Sequence, residues 1–97
     1  MKRVFAVIRT HGAGWRASAP LEAQTEWDAH GRFMDTLYDE GFALLVGPLE
    51  GTEEALIIVR AESAEEIENR LAEDPWTKLD LLRTTRVSPW SLRLGSI

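Results

Sequence analysis

Two histidines are the only side chains here that ordinarily titrate near neutral pH, and no cysteine stands beside them as nucleophile or redox group. His30 lies in the stretch from Glu22 to Glu40, which reads as a helix. At about 100° per residue, Ala23, Trp27, Met34, Leu37 and Tyr38 fall on one apolar stripe. The imidazole sits in the middle of that stripe and is aimed at the core. A buried neutral ring bonded to a carbonyl or water is one reading, and a proton-transfer group is the other. The second reading needs a partner that orients the ring. Glu26 lies one turn earlier and is one candidate. Asp74 is another, since it follows Ile67 by seven residues and Leu71 by three, near the inward stripe of the second helix. Asp before Pro75 is also the favoured N-cap and N1 pair for a short helical turn through Thr77 and Lys78, so capping alone would account for it. A carboxylate bonded to one imidazole nitrogen fixes the tautomer and leaves the other nitrogen to take or deliver a proton. His30 and Asp74 are therefore the candidate catalytic pair.

His11 ends the first apolar run beside Gly12-Ala13-Gly14, and with Arg9 and Arg16 it could bind an anionic or phenolic substrate. An exposed loop histidine needs no such role. Trp15, Trp27, Trp76 and Trp90 lie respectively in the loop, on the first helix, just after the second helix and near the last strand. Trp27 and Trp90 read as core, whereas Trp15 and Trp76 flank the proposed site and read as pocket walls. The candidate substrate-binding set is thus His11, Trp15, Trp76 and Arg9. Other chemistries are poorly supported. None of Ser18, Ser63, Ser88, Ser91 or Ser96 sits in a G-x-S-x-G elbow. Gly12-Ala13-Gly14 lacks the third glycine of a dinucleotide fingerprint, and two histidines without H-E-x-x-H spacing make no metal site. No cofactor and no metal are assigned.

The elements that must position these groups follow from period and punctuation. Val4 to Ile8 is a short β-branched run that reads as a strand buried on both faces, followed by a loop of about ten residues from His11 to Pro20. The helix from Glu22 stops at Gly41. Phe42 to Val46 and Ala55 to Val59 read as a hairpin with Gly47-Pro48 and Gly51 in the connection. Ser63-Ala-Glu-Glu66 is a capping box opening a helix from Ala64 to Glu73, whose Glu65, Glu66 and Glu68 make a solvated face. Leu82 to Val87 is the last strand before Pro89. Strand, helix, strand, strand, helix, strand is the order of the ferredoxin-like βαββαβ arrangement, an α+β fold with an antiparallel four-stranded sheet and two helices on one face. The helix-free face still needs a cover, and a second copy of the chain is the most economical one, so a homodimer is expected.

Ninety-seven residues is one domain's length, so residues 1–97 are read as one unit. Hydrophobic residues at 44% and charged ones at 28% match an ordinary globular chain and exclude the disordered class. The formal charge of −5 argues against a nucleic-acid partner, and the third strand offers no stacking aromatic for single-stranded RNA. Arg9 cuts the N-terminal apolar run short of a signal sequence, and no 18-residue apolar run exists; no membrane partner is expected, and the chain reads as cytoplasmic.

Trp27-Asp-Ala-His30, Glu40-Gly41 with Leu44-Leu-Val-Gly47-Pro48, the capped helix running into Asp74-Pro75-Trp76, and Val87-Ser-Pro89-Trp90 together resemble the YciI-like (YCII-related) family. The resemblance covers nearly the whole chain and implies a dimeric α+β barrel. It implies an active-site pair at His30 and Asp74, and small-molecule lyase chemistry such as loss of HCl from a chlorinated aromatic ring. Departures from the family pattern are Trp27, where an arginine is common, and the long glycine-rich loop with His11 and Trp15. The function expected is a small enzyme working on a partly aromatic metabolite; the alternative is a non-catalytic domain that only binds a small molecule.

Overall fold

The computed structural model describes residues 1–97. Its strands are β1 (Arg3–His11), β2 (Ala43–Pro48), β3 (Glu54–Ala61) and β4 (Leu82–Pro89), and its helices are α1 (Trp27–Asp39), α2 (Ala64–Leu71) and the single turn α3 (Pro75–Lys78). All pairings are antiparallel, in the order β2-β3-β1-β4, so β1 and β3 occupy the centre. This is the expected ferredoxin-like α+β arrangement. β1 comes first in the chain yet sits inside the sheet, because α1 leads to β2 one position beyond its neighbour, β3 returns between them, and α2 then carries the chain past β1 to β4.

Period-2 alternation decides what each strand contributes. Phe5, Val7 and Arg9 of β1 point the same way and are buried, and their register partners Val59, Ile57 and Ala55 share that face. Leu37 and Met34 of α1 and Ile67 and Leu71 of α2 close over it, forming one cluster with Phe5, Val7, Ile57 and Val59. Burying side chains of this size contributes about 1.5–3 kcal/mol each. The opposite face carries Val4, Ala6 and Ile8, half-buried, beside the register partners Leu56 and Ile58. β1 therefore alternates in burial rather than being equally covered on both sides.

Several boundaries differ from the sequence reading. The first helix begins at Trp27, not Glu22; a 3-10 turn at Leu21–Ala23 precedes it, and Glu26 adopts a left-handed conformation (φ 60°) that breaks the path between the two. Ala23 therefore never joins the apolar stripe, and Tyr38 at its far end is 63% exposed. β1 extends to His11 and absorbs Arg9 into the sheet. α2 stops at Leu71, so Asp74 belongs to the next turn and not to the stripe of α2. Trp90 lies past the end of β4, is 46% exposed, and is not part of the core.

Candidate active site

The site forms where β1, α1 and α3 meet, and it begins with an arginine in a core position. Arg9 follows Phe5 and Val7 on the inward face of β1, just where the β1–β4 register slips between Ile8 and Arg9. A guanidinium there must be paired, because burying an isolated charge is costly. Its Nη1 donates to Asp74 Oδ2 at 2.8 Å, and its Nη2 donates to Thr77 Oγ1, whose hydroxyl donates onward to the Leu71 carbonyl at 2.7 Å. Burial pulls the guanidinium's pKa down against the raising influence of Asp74. Nε is buried without a partner.

Asp74 is fully buried and serves three groups at once. As N-cap of α3, with Pro75 at the first helical position, it accepts the Trp76 backbone N–H at Oδ1, 2.9 Å away. It holds Arg9 at Oδ2. His30 Nδ1 lies 2.9 Å from Oδ1 and 3.0 Å from Oδ2. The cap and the histidine contact, alternatives when read locally, coexist on one carboxylate. Burial pushes the Asp74 carboxyl up, but the hydrogen bonds it accepts from His30, the Trp76 N–H and Arg9 together hold it below its ordinary value. An ionised carboxylate only accepts, so the His30 ring presents Nδ1–H to it and Nε2 is left free of it.

Aromatic stacking fixes the ring plane. His30 lies flat on Trp76, with centroids 3.8 Å apart and 4° between planes. Trp76 is anchored by its own Nε1–H, which donates to the Thr25 carbonyl at 2.6 Å. Trp15 meets Trp76 edge-on at 5.4 Å and 90°, and His11 stacks on Trp15 at 3.8 Å and 11°. Trp27 leans against Trp76 at 5.9 Å and against His30 at 6.3 Å. Both histidines of the chain thus belong to one continuous run of rings. That run forms a wall of a cleft of about 980 Å³, with Val46, Gly47 and Pro48 of β2 and Ala55 of β3 also lining it. Asp28, Arg32, Asp35 and Glu54 supply its charged parts. Burial lowers the pKa of His11, against the raising charge of Glu53. No three histidine, aspartate or glutamate side chains come together closely enough to hold a metal ion.

The glycine pair before Trp15 explains how that loop reaches the cleft. A Cβ on Gly12 would stand 2.3 Å from the Asp80 carbonyl oxygen, and one on Gly14 would stand 2.5 Å from that of Leu79. Gly12 N–H donates to Leu81 O at 2.8 Å and Gly14 N–H to Asp80 O at 2.9 Å, so the loop lies directly against the segment after α3. The two glycines permit backbone-on-backbone packing rather than phosphate binding.

The family model of the YCII-related domain matches residues 10–91, a span that holds His30, Asp74 and every tryptophan. The chain belongs to the YCII-related family. Among solved structures, it is similar to 5-chloro-2-hydroxyhydroquinone dehydrochlorinase (TftG) from Burkholderia phenoliruptrix AC1100, in complex with 2,5-dihydroxybenzoquinone. Identity is 22%, the match covers 91% of this chain and 93% of that one, and the TM-score is 0.62. The likeness is one of fold. No curated protein matches the sequence.

Within this YCII-related chain, His11, Trp15, Trp27, His30 and Trp76 line the cleft, whereas Arg9 does not. Arg9 was expected to touch substrate; it is 0% exposed and reaches only Asp74 and Thr77, because its alternation parity on β1 sends it inward. Glu26 is not the partner of His30: it caps α1 through its backbone carbonyl, which accepts the His30 N–H at 2.9 Å. Arg16 turns back onto the Ala23 carbonyl. Trp27 is half-buried; it packs against the smaller core cluster of Trp76, Leu81 and Leu82, as expected, and also lines the cleft. Gln24 escaped the sequence reading altogether, and Thr77 enters it only as part of the turn after Pro75. Gln24 is 3% exposed and clamps the loop, its Oε1 accepting Arg16 N–H and its Nε2 donating to the carbonyls of Arg16 and Ala19. Nothing periodic marks it, since it sits between two helices. Thr77, three residues after its N-cap, carries the second hydrogen bond of Arg9.

Proposed function

We propose that this chain is a small acid–base enzyme acting on a compact, flat, partly aromatic metabolite, with lyase chemistry of the dehydrochlorinase kind. His30 is the general acid/base and works through Nε2. Asp74 fixes its tautomer and stabilises the imidazolium formed when the ring takes a proton. Trp15, with His11, shapes the cleft wall against which a flat ring would rest, and Trp76, itself buried, backs the His30 ring from behind. The observation that carries this reading is the His30 imidazole held at 2.9 Å by a fully buried carboxylate while stacked on Trp76 beside an open, largely apolar cleft. A catalytic base needs that combination of a fixed ring and a free nitrogen within reach of a ligand. The kinship with the YCII-related family and the fold shared with a dehydrochlorinase support the same reading.

The helix-free sheet face supports a homodimeric assembly of two such sites. The test of function is turnover of chlorinated hydroxyhydroquinones and related ring compounds, followed by chloride release and product analysis. His30→Gln should abolish conversion and leave binding of the compound intact. Binding without conversion by the unsubstituted protein, for every compound that calorimetry shows to bind, would favour a ligand-binding domain instead.

A further inference from the structure

We propose that Arg9 is a positioning residue that cancels the charge of Asp74, so that His30 waits as an uncharged ring and enters the reaction as a base. The inference rests on His30 being the proton-transfer group. It goes beyond that reading by assigning the ring its starting state and naming the residue that sets it.

The argument is one of charge in a desolvated cluster. The side chains of Arg9 and Asp74 are 1% and 0% exposed, and that of His30 is 12% exposed. A buried carboxylate with no other counter-charge would draw a proton onto its imidazole neighbour, because the imidazolium–carboxylate pair is neutral and the imidazole–carboxylate pair is not. Here the guanidinium at 2.8 Å already makes the cluster neutral while the ring is uncharged. A further proton would leave net positive charge in a poorly solvated place. The other charged groups around His30 are Glu26, Asp28, Arg32 and Asp35 on its own helix, and Glu54 across the cleft, all exposed. His11 lines the far part of the same cleft. Solvent screens the exposed groups far more than it screens Arg9. In the catalytic step, the Nε2 lone pair takes a proton from an O–H or C–H of the substrate, and the bonding pair stays on the substrate. The proton remains on Nε2 until it is returned to the product or to water, so none is consumed.

The test follows the His30 ring nitrogens by 15N NMR across pH, and it needs no substrate. In the unsubstituted protein the neutral ring should carry its proton on Nδ1. Arg9→Gln, which keeps a donor to Asp74 without the charge, should hold the second ring proton to a higher pH than the unsubstituted protein does. Arg9→Lys should restore the unsubstituted profile. Superimposable titrations of the unsubstituted and Arg9→Gln proteins would overturn the proposal. If Arg9→Gln does not fold, Arg9→Met, which fills the same buried space without the charge, takes its place, and a titration superimposable on that of the unsubstituted protein overturns the proposal equally. Failure of every turnover assay would count against the enzyme reading and leave this result standing.

Discussion

At the scale of single residues, Asp74 has the most to lose. Asp74→Asn removes the carboxylate from beneath Arg9 and leaves a buried guanidinium without a counter-charge, which should cost about 3–5 kcal/mol in urea unfolding. Acid dependence follows from the same group. Its folded pKa lies below the ordinary 3.8. The pairing therefore adds stability above that value, and the stability is lost as pH falls through the lower folded value. Unfolding midpoints of the unsubstituted protein should drop steeply below about pH 4, and those of Asp74→Asn should be flatter over the same range. Equal slopes for the two proteins would mean that Asp74 is not ionised when folded.

At the scale of elements, the glycine-rich loop behaves as a packed part of the structure. Gly12→Ala places a methyl group 2.3 Å from a backbone carbonyl that cannot swing aside, so loop and post-α3 segment must separate. The expected cost is about 1–3 kcal/mol, with a change in tryptophan fluorescence as Trp15 leaves the edge of Trp76. Gln24→Ala should act on the same loop from its other end, at about 1–3 kcal/mol for the backbone groups left unbonded. A Gly12→Ala protein with an unchanged melting curve and spectrum would show that the loop is free to shift.

At the scale of the whole molecule, the helix-free face is the remaining question. Val4, Ala6, Ile8 and Leu56 stand half-buried there, and Leu45 of β2, paired with Ile58 of β3, is 58% exposed. A face of this composition is expected to pair with a second copy. Light scattering should give about twice the chain mass of 10.9 kDa, and Ile8→Glu should return it to the single-chain value. A dilute monomer for the unsubstituted protein would remove the dimer.

The sequence by itself determined the order of elements, the strand–helix alternation and the helix stop at Gly41, because hydrophobic period and turn chemistry are local properties. It also marked His30 and Asp74 as residues worth pairing. Only the tertiary structure decided which carboxylate meets the ring: Asp74, 44 positions away in sequence, and not Glu26, four away. Periodicity says which way a side chain faces, but what it meets there depends on how strands are ordered. Placing β1 inside the sheet turned Arg9 from a surface cation into the buried counter-charge of Asp74. Trp90 shows the converse, since an aromatic just beyond a strand end stays half exposed once the chain leaves the sheet.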